Sequence, residues 1–319
     1  MIICDPLGDE IALSHALRLQ RINGLAHHGA LFKLLRSRFS IAVRPSGGGY
    51  SPPDGTRTEL LARLVGLDLR RYVVGHSFVP FNLGTSCNVS GALSASELDV
   101  SGCRTPRRDL IFCRACVQED LDSRGFSFWR RRHQFLGALR CRLHQCPLWR
   151  VQRARHHVTS LPSECLDACV PVDQATQHHA AAIDEYQELC ERMLASDLTL
   201  SASGAIDALF AASQRVGSGL AADDWWTLAL ERFGESWLLN LHSEAATTAG
   251  EQYLLPTFSL LTGTLPGFLQ PDALAIAALT LTGDVDSAYQ AIAGQLTAGQ
   301  RLAAQFDPAA EPLISVGRE

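Results

Sequence analysis

Cys113-Arg-Ala-Cys116 and Cys141-Arg-Leu-His144, separated by 24 residues, decide how the middle of this chain folds. Each pair offers two soft donors at x₂ spacing, which lets both converge on one ion without backbone strain, and two such pairs complete a tetrahedron around Zn²⁺. Four protein donors leave no position for water or substrate, so the pattern is that of a structural site. The alternative, two accidental pairs among ten cysteines, is disfavoured by what surrounds them. Leu110-Ile-Phe112 is a short apolar strand feeding the first pair, Leu139-Arg140 leads into the second, and Phe126-Ser-Phe128-Trp129 supplies an aromatic plug. Short strands that end in knuckles describe a zinc-ribbon core, and in so small a core the metal contributes much of the folding free energy.

Upstream of the knuckles the chain reads as helical. Ile11, Leu13, Leu17, Ile22 and Leu25 recur at near-helical spacing over residues 9–39, Asn23-Gly24 interrupts the run, and Leu31 to Leu35 resumes it, giving a helix-turn-helix-like pattern. A Gly/Pro loop covers residues 44–55. Thr58 with Glu59 opens a helix to about Leu67, Leu69 to Val74 forms a short one, and residues 82–104 are polar and irregular. Downstream of Pro171 the segments 173–195, 202–215, 223–241, 252–262, 271–281 and 285–302 read as helices. Ser201, Asp223 and Asp284 stand at N-cap positions and Pro271 at a helix start. The expected fold is therefore mainly α in three parts: a helical helix-turn-helix-like region over 1–100, a zinc-ribbon core over 101–170 and an all-α domain over 171–319. Loss of the metal is expected to unfold the middle part and leave the last one standing.

Charge is unevenly distributed. Residues 104–155 hold thirteen Arg against four acids, whereas residues 171–319 hold five Arg against nineteen, a balance of −14, within a chain of net charge −5. A basic middle suits phosphate and an acidic half is repelled by it, so the two suggest partners of opposite character. Arg accounts for 27 of the 28 basic residues, a bias that a GC-rich genome explains as readily as phosphate contact does, since it also holds in the acidic half. No apolar run is long enough to span a membrane, and the first residues lack the pattern of a secretory signal. The expected location is the cytoplasm, where ten cysteines read as metal ligands and buried thiols rather than disulfides.

The knuckles sit in a longer pattern. Cys113-x-x-Cys116-x-x-Glu119-Asp120 runs into Gly125-x-x-x-Trp129-Arg130-Arg131-x-His133-Gln134, then Cys141-x-x-His144 and Leu148; upstream stands Asp9-Glu10-x-x-x-Ser14-x-x-x-Arg18-x-x-Arg21-x-Asn23-Gly24, then Leu60-Leu61-x-x-Leu64-x-Gly66-Leu67 and His76-Ser77-x-x-Pro80-Phe81. Over roughly residues 5–150 this resembles the TniQ/TnsD family of transposon target-selection proteins. Gln145 stands where the family usually has Gly, and Arg114 where it usually has Pro. The resemblance implies a transposition adaptor that recognises a DNA attachment site or a CRISPR guide-RNA effector complex and recruits an AAA+ regulator ATPase and, through it, the transposase. Membership in a guide-RNA-linked branch would allow a homodimer. A free-standing zinc-dependent DNA-binding regulator is the alternative.

Several residues carry narrower expectations. Arg130, Arg131 and Arg132 are the densest cationic cluster and candidates for DNA phosphate contact, with Arg18 and Arg21 on the first helix beside them; the opposing reading packs Arg130 and Arg131 inside the zinc core. His133 reads as an orienting or core histidine, and His178-His179 as solvated. Cys165-x₃-Cys169, with Cys146 and His156-His157, allows a second metal site, against which stand buried free thiols. Cys4, Cys87, Cys103 and Cys190 read as structural. Trp225, Trp226, Phe233 and Trp237 read as helical core. Catalysis is not expected: the chain lacks the His-x-Glu of a zinc deaminase, a phosphate-binding Gly-x-x-x-x-Gly-Lys-Ser/Thr loop and a nucleophile–base set.

Overall fold

A computed structural model describes residues 1–40, 54–83, 106–107, 109–151, 160–172, 177–195, 209, 222–241 and 271–293, with the backbone alone at 54–56, 82–83, 177 and 222–226. The fold is mostly helical with two small antiparallel sheets. In chain order come α1 (Ala12–Ile22), α2 (His28–Phe39), α3 (Asp54–Leu64), α4 (Leu69–His76), α5 (Val79–Leu83), β1 (Leu110–Phe112), α6 (Arg114–Arg124), β2 (Arg140–Cys141), β3 (Cys146–Pro147), β4 (Trp149–Val151) and β5 (Cys169–Pro171). After these stand α7 (Ala180–Ala195), α8 (Ala222–Phe233), α9 (235–241), α10 (Pro271–Thr282) and α11 (Val285–Ala293). No helix among the described residues is long and apolar enough to cross a membrane.

Helix α1 lies between two cores. Ala12, Ala16 and Leu19 face a first core shared with Leu31, Phe32 and Leu35 of α2, Leu60 and Leu61 of α3 and Tyr72 of α4. Ile11 and Leu17 face a second, larger core that contains Trp129, Phe135, Tyr186, Trp237 and the apolar body of α10. Asn23 ends α1 as expected, its amide donating to the Leu19 and Ile2 carbonyls, and Gly24 follows at φ +61°. Asp68 caps α4 by accepting from the Arg70 and Arg71 amides, and Arg131 donates to the Val74 and Ser77 carbonyls at the other end, a cation placed at the negative pole of the helix.

The larger sheet has the order β1-β4-β5, with Phe112 opposite Trp149 and Trp149 opposite Pro171; β2 and β3 form a separate hairpin with Cys141 opposite Cys146. Strand β1 feeds the first cysteine pair as expected. Beyond it the chain turns into α6, with Cys113 as its N-cap, so Cys116 sits on a helical first turn rather than on a strand-only knuckle.

The C-terminal helices differ from expectation in detail. The 223–241 run is broken at Gly234 (φ +80°), where a side chain would collide with the His179 ring, its Cβ only 2.6 Å from Cδ2. His179 is therefore half-buried, with Nδ1 3.0 Å from the Arg232 carbonyl, and only His178 is solvated. Pro271 does begin a helix, and Asp284 does cap one, accepting from Ser287 N at 2.8 Å. The expected loop at 44–55 lies outside the described residues as far as 53, and its last two residues instead begin α3, which starts at Asp54 rather than Thr58. The helices at 202–215 (apart from residue 209) and 252–262, and Cys87, Cys103, Ser201, His156 and His157, lie outside the described residues, as do the side chains of Asp223, Trp225 and Trp226.

Candidate metal centre

Two junctions bring the expected donors together. The β1–α6 junction supplies Cys113 and Cys116, and the β2–β3 hairpin supplies Cys141 and His144. The three Sγ atoms and one imidazole nitrogen all lie within 4.8 Å of one another, and the cysteines are buried. Cys116 Sγ is 3.7 Å from Cys141 Sγ, while His144 Nδ1 is 3.3 Å from Cys116 Sγ and 3.6 Å from both Cys113 and Cys141. For bonds of about 2.3 Å to sulfur and 2.1 Å to nitrogen, tetrahedral edges are about 3.8 and 3.6 Å. The four side chains thus have the spacing of a closed tetrahedral site that can hold a metal ion, and they constitute the one such cluster among the described residues.

The outer contacts suit the same purpose. His144 Nε2 bonds Glu119 Oε1 at 2.8 Å, one turn along α6 from Cys116, which leaves Nδ1 as the donor to an ion. This carboxylate, aided by the nearby cysteines, pushes His144 up to about 9. Hydrogen bonds from Cys116 and Cys141 drive the Cys113 thiol down. His133 is buried and held neutral by that burial, with Nε2 4.0 Å from Cys116 Sγ. It is both of the things expected of it, a core residue and one aimed at a donor. Gln134 uses its side-chain amide as a strand partner, accepting from Ile111 N and donating to the Ile111 carbonyl.

The remaining signature residues buttress this centre. Asp120 on α6 is fully buried and takes a two-pronged contact from Arg130 at 2.6 and 2.9 Å. Arg130 also lies over the Phe128 ring, 4.2 Å from its centroid. Glu10 and Arg18 form a second buried pair, 2.8 Å from Nε to Oε1 and 2.7 Å from NH2 to Oε2. Segment 9–11 pairs with 129–131 as a short antiparallel bridge, where Ile11 N donates to the Trp129 carbonyl and Arg131 N to that of Asp9. Ser14 Oγ accepts from Trp129 N. The upstream and downstream motifs are thus two sides of one seam, and the sequence did not show that Asp9, Glu10 and Ser14 serve the residues around Trp129.

This accounting places the five candidate arginines. Arg18 is only 3% exposed and used by Glu10, the Asp5 carbonyl and Cys4. Arg130 and Arg131 are committed to Asp120 and to the end of α4. Arg132 is 38% exposed and paired with Asp9 at 2.6 Å; Arg21 is 40% exposed and paired with Glu164. The possible second metal site does not assemble among the described residues. Cys165 is buried and pushed up to about 11 by that burial, Cys169 donates to the Leu166 carbonyl, and Cys146 lies instead against Cys113.

No curated protein matches the chain. The TniQ family model matches residues 1–148, a span that begins before the Glu10–Arg18 pair, contains all four donors and ends at buried Leu148. With the upstream and downstream signatures joined in one seam inside that span, residues 1–148 form a TniQ-family domain.

Proposed function

We propose that this chain is a transposition target-selection adaptor built around a structural Zn²⁺, which recognises a DNA target or a guide-RNA effector complex and recruits an AAA+ regulator. The observation that carries the reading is the TniQ match over residues 1–148 together with the filled pattern of donors and buttresses inside it. Three thiolates and an imidazole in a closed tetrahedron favour zinc over harder or octahedral ions. When bound, the ion clamps α6 to the β2–β3 hairpin; no reaction step is assigned to it. The packed helices α1, α2 and α3, with the turn at Asn23-Gly24, support the helix-turn-helix-like reading of the N-terminal region, and the paired β strands around the donors support a zinc-ribbon relative. Phosphate contact falls to Arg21 and Arg132, which reach solvent, rather than to the three arginines turned inward. The acidic half, −14 over residues 171–319, suits a protein partner.

The test is insertion mapping in cells that carry the cognate element. With the chain present, insertions should cluster at one attachment site or at guide-matched sites; without it, or with Cys116→Ser, they should vanish or scatter. An unchanged frequency and distribution in its absence would refute the adaptor reading and leave the free-standing DNA-binding regulator.

A further inference from the structure

Cys146 is placed against a metal donor without belonging to the donor set. Its Sγ lies 3.4 Å from Cys113 Sγ, yet it is not among the four side chains whose ligand atoms are mutually within 4.8 Å. It opens β3, opposite Cys141 in the hairpin, and is partly exposed, whereas Cys113 is buried. Cys146 is thus the member of the pair nearer to solvent. We propose that Cys113 and Cys146 form an oxidisable dithiol, a modification site through which peroxide opens the metal centre. The proposal rests on the reading of Cys113 as a zinc ligand.

The sulfurs need little movement. A disulfide bond is about 2.05 Å long, so they close by roughly 1.3 Å, which side-chain rotation at the edge of a two-residue strand supplies. A disulfide within Cys113, Cys116 and Cys141 would remove two ligands at once, whereas Cys113–Cys146 removes one. In the first step the Cys113 thiolate attacks one oxygen of hydrogen peroxide; the O–O bond breaks, and a sulfenic acid and hydroxide result. In the second, the Cys146 sulfur attacks the sulfenic sulfur; the S–S bond forms, the S–O bond breaks, and the departing hydroxide takes the thiol proton to leave as water. The two sulfurs together lose two electrons and the peroxide gains them. The ion keeps Cys116, Cys141 and His144, and with one thiolate gone it is held less tightly.

The experiment treats the zinc-loaded full chain with hydrogen peroxide, follows metal release with a chromophoric chelator and maps disulfides in non-reduced peptides. One zinc should appear per Cys113–Cys146 disulfide, and dithiothreitol should restore binding. Cys146→Ser should hold one zinc per chain before oxidation and release it at least tenfold more slowly. Release from Cys146→Ser at the wild-type rate, or disulfides confined to Cys113, Cys116 and Cys141, would overturn the proposal. So would a Cys146→Ser protein that fails to hold zinc, because Cys146 would then be a ligand. A wild-type chain without zinc would defeat the metal reading alone, and the peptide map would still decide whether the Cys113–Cys146 disulfide forms.

Discussion

At the scale of single residues, the two departures from the family pattern are informative because each has a local compensation. Gln145 directly follows the last donor and holds φ +50°, a left-handed conformation that costs a side-chain-bearing residue about 1 kcal/mol and that glycine adopts freely. It is held there by three contacts: its amide donates to the Cys141 carbonyl at 2.7 Å, its side chain to the Arg142 carbonyl at 2.7 Å, and Arg140 to its own carbonyl at 2.9 Å. Gln145→Gly relieves the strain and loses one of the three, so its stability should stay within about 1 kcal/mol of wild type. Gln145→Val keeps the strain, adds a branched Cβ and loses the same bond; it should cost about 2 kcal/mol. Denaturant melts of the two variants check this, and equal stabilities would mean that the hairpin does not depend on this turn. Arg114 stands at the first position of α6, where proline would be pre-organised. Instead its guanidinium stacks 3.6 Å from the Trp149 ring centroid and donates to the Leu166 carbonyl, tying α6 to the sheet and to the segment beyond it.

At the scale of elements, what was legible followed apolar periodicity and cap chemistry. Strand β1, the break at Asn23-Gly24, the start of α4 near Leu69, the helix begun by Pro271 and the Asp284 cap are all local signals. Helix α6 was not legible, because over Arg114–Arg124 it buries only Cys116, Val117 and Asp120 and is held by the Asp120–Arg130 pair, a tertiary contact that periodicity does not report. Strands β3, β4 and β5 are two or three residues long, too short for alternation to register. The four donors were legible because x₂ spacing is local, whereas Glu119 and Cys146 acquire their meaning only when the hairpin folds onto α6. The tie between α1 and α4 shows the same limit and yields a pH prediction. His15 donates through Nε2 to the Cys4 carbonyl and accepts at Nδ1 from the Tyr72 hydroxyl, and His76 donates through Nδ1 to the Glu10 carbonyl. Burial lowers both imidazoles to about 4. Above pH 6.5 folded and unfolded chains both carry them neutral; as pH falls from there toward 4 the unfolded chain takes up protons that the folded chain does not. Stability contributed by neutral burial is thus complete above pH 6.5 and lost progressively down to pH 4, by as much as about 3 kcal/mol for each histidine. Denaturant melts across this window should show the loss, and His15→Gln should flatten part of it; a pH-independent midpoint between 6.5 and 4 would contradict the argument.

At the scale of the whole molecule, the donors are enclosed by elements from both ends of the chain. Arg142, inside the second knuckle, bonds Glu188 and Glu191 of α7 at 2.8 and 3.0 Å; Gln187 donates to the Arg140 carbonyl, and Trp237 Nε1 to that of Gly137. Helix α7 also packs on α4 and α5, and the larger core runs without interruption from Ile11 and Leu17 through Phe135 to Tyr186, Trp237 and Leu274. Gly137, at φ +69°, has no room for a side chain, since a Cβ would sit 2.7 Å from Trp237 and Leu241. This continuity argues against a middle part that unfolds alone when the metal is removed. Tyr186, Leu189, Phe233, Trp237, Leu238 and Leu241 are all buried in the shared core. At about 1.5–3 kcal/mol for each fully buried large apolar side chain, six of them exceed about 9 kcal/mol, comparable with the whole stability of a typical domain. The full chain should therefore melt in one transition, with helix ellipticity and tryptophan fluorescence coincident. A zinc chelator should move both signals down together, and a chain ended after residue 172 should be insoluble or melt far below the full one. Two separate transitions, with chelation shifting only one of them, would show that the metal-binding part and the C-terminal helices are stable independently despite their common core.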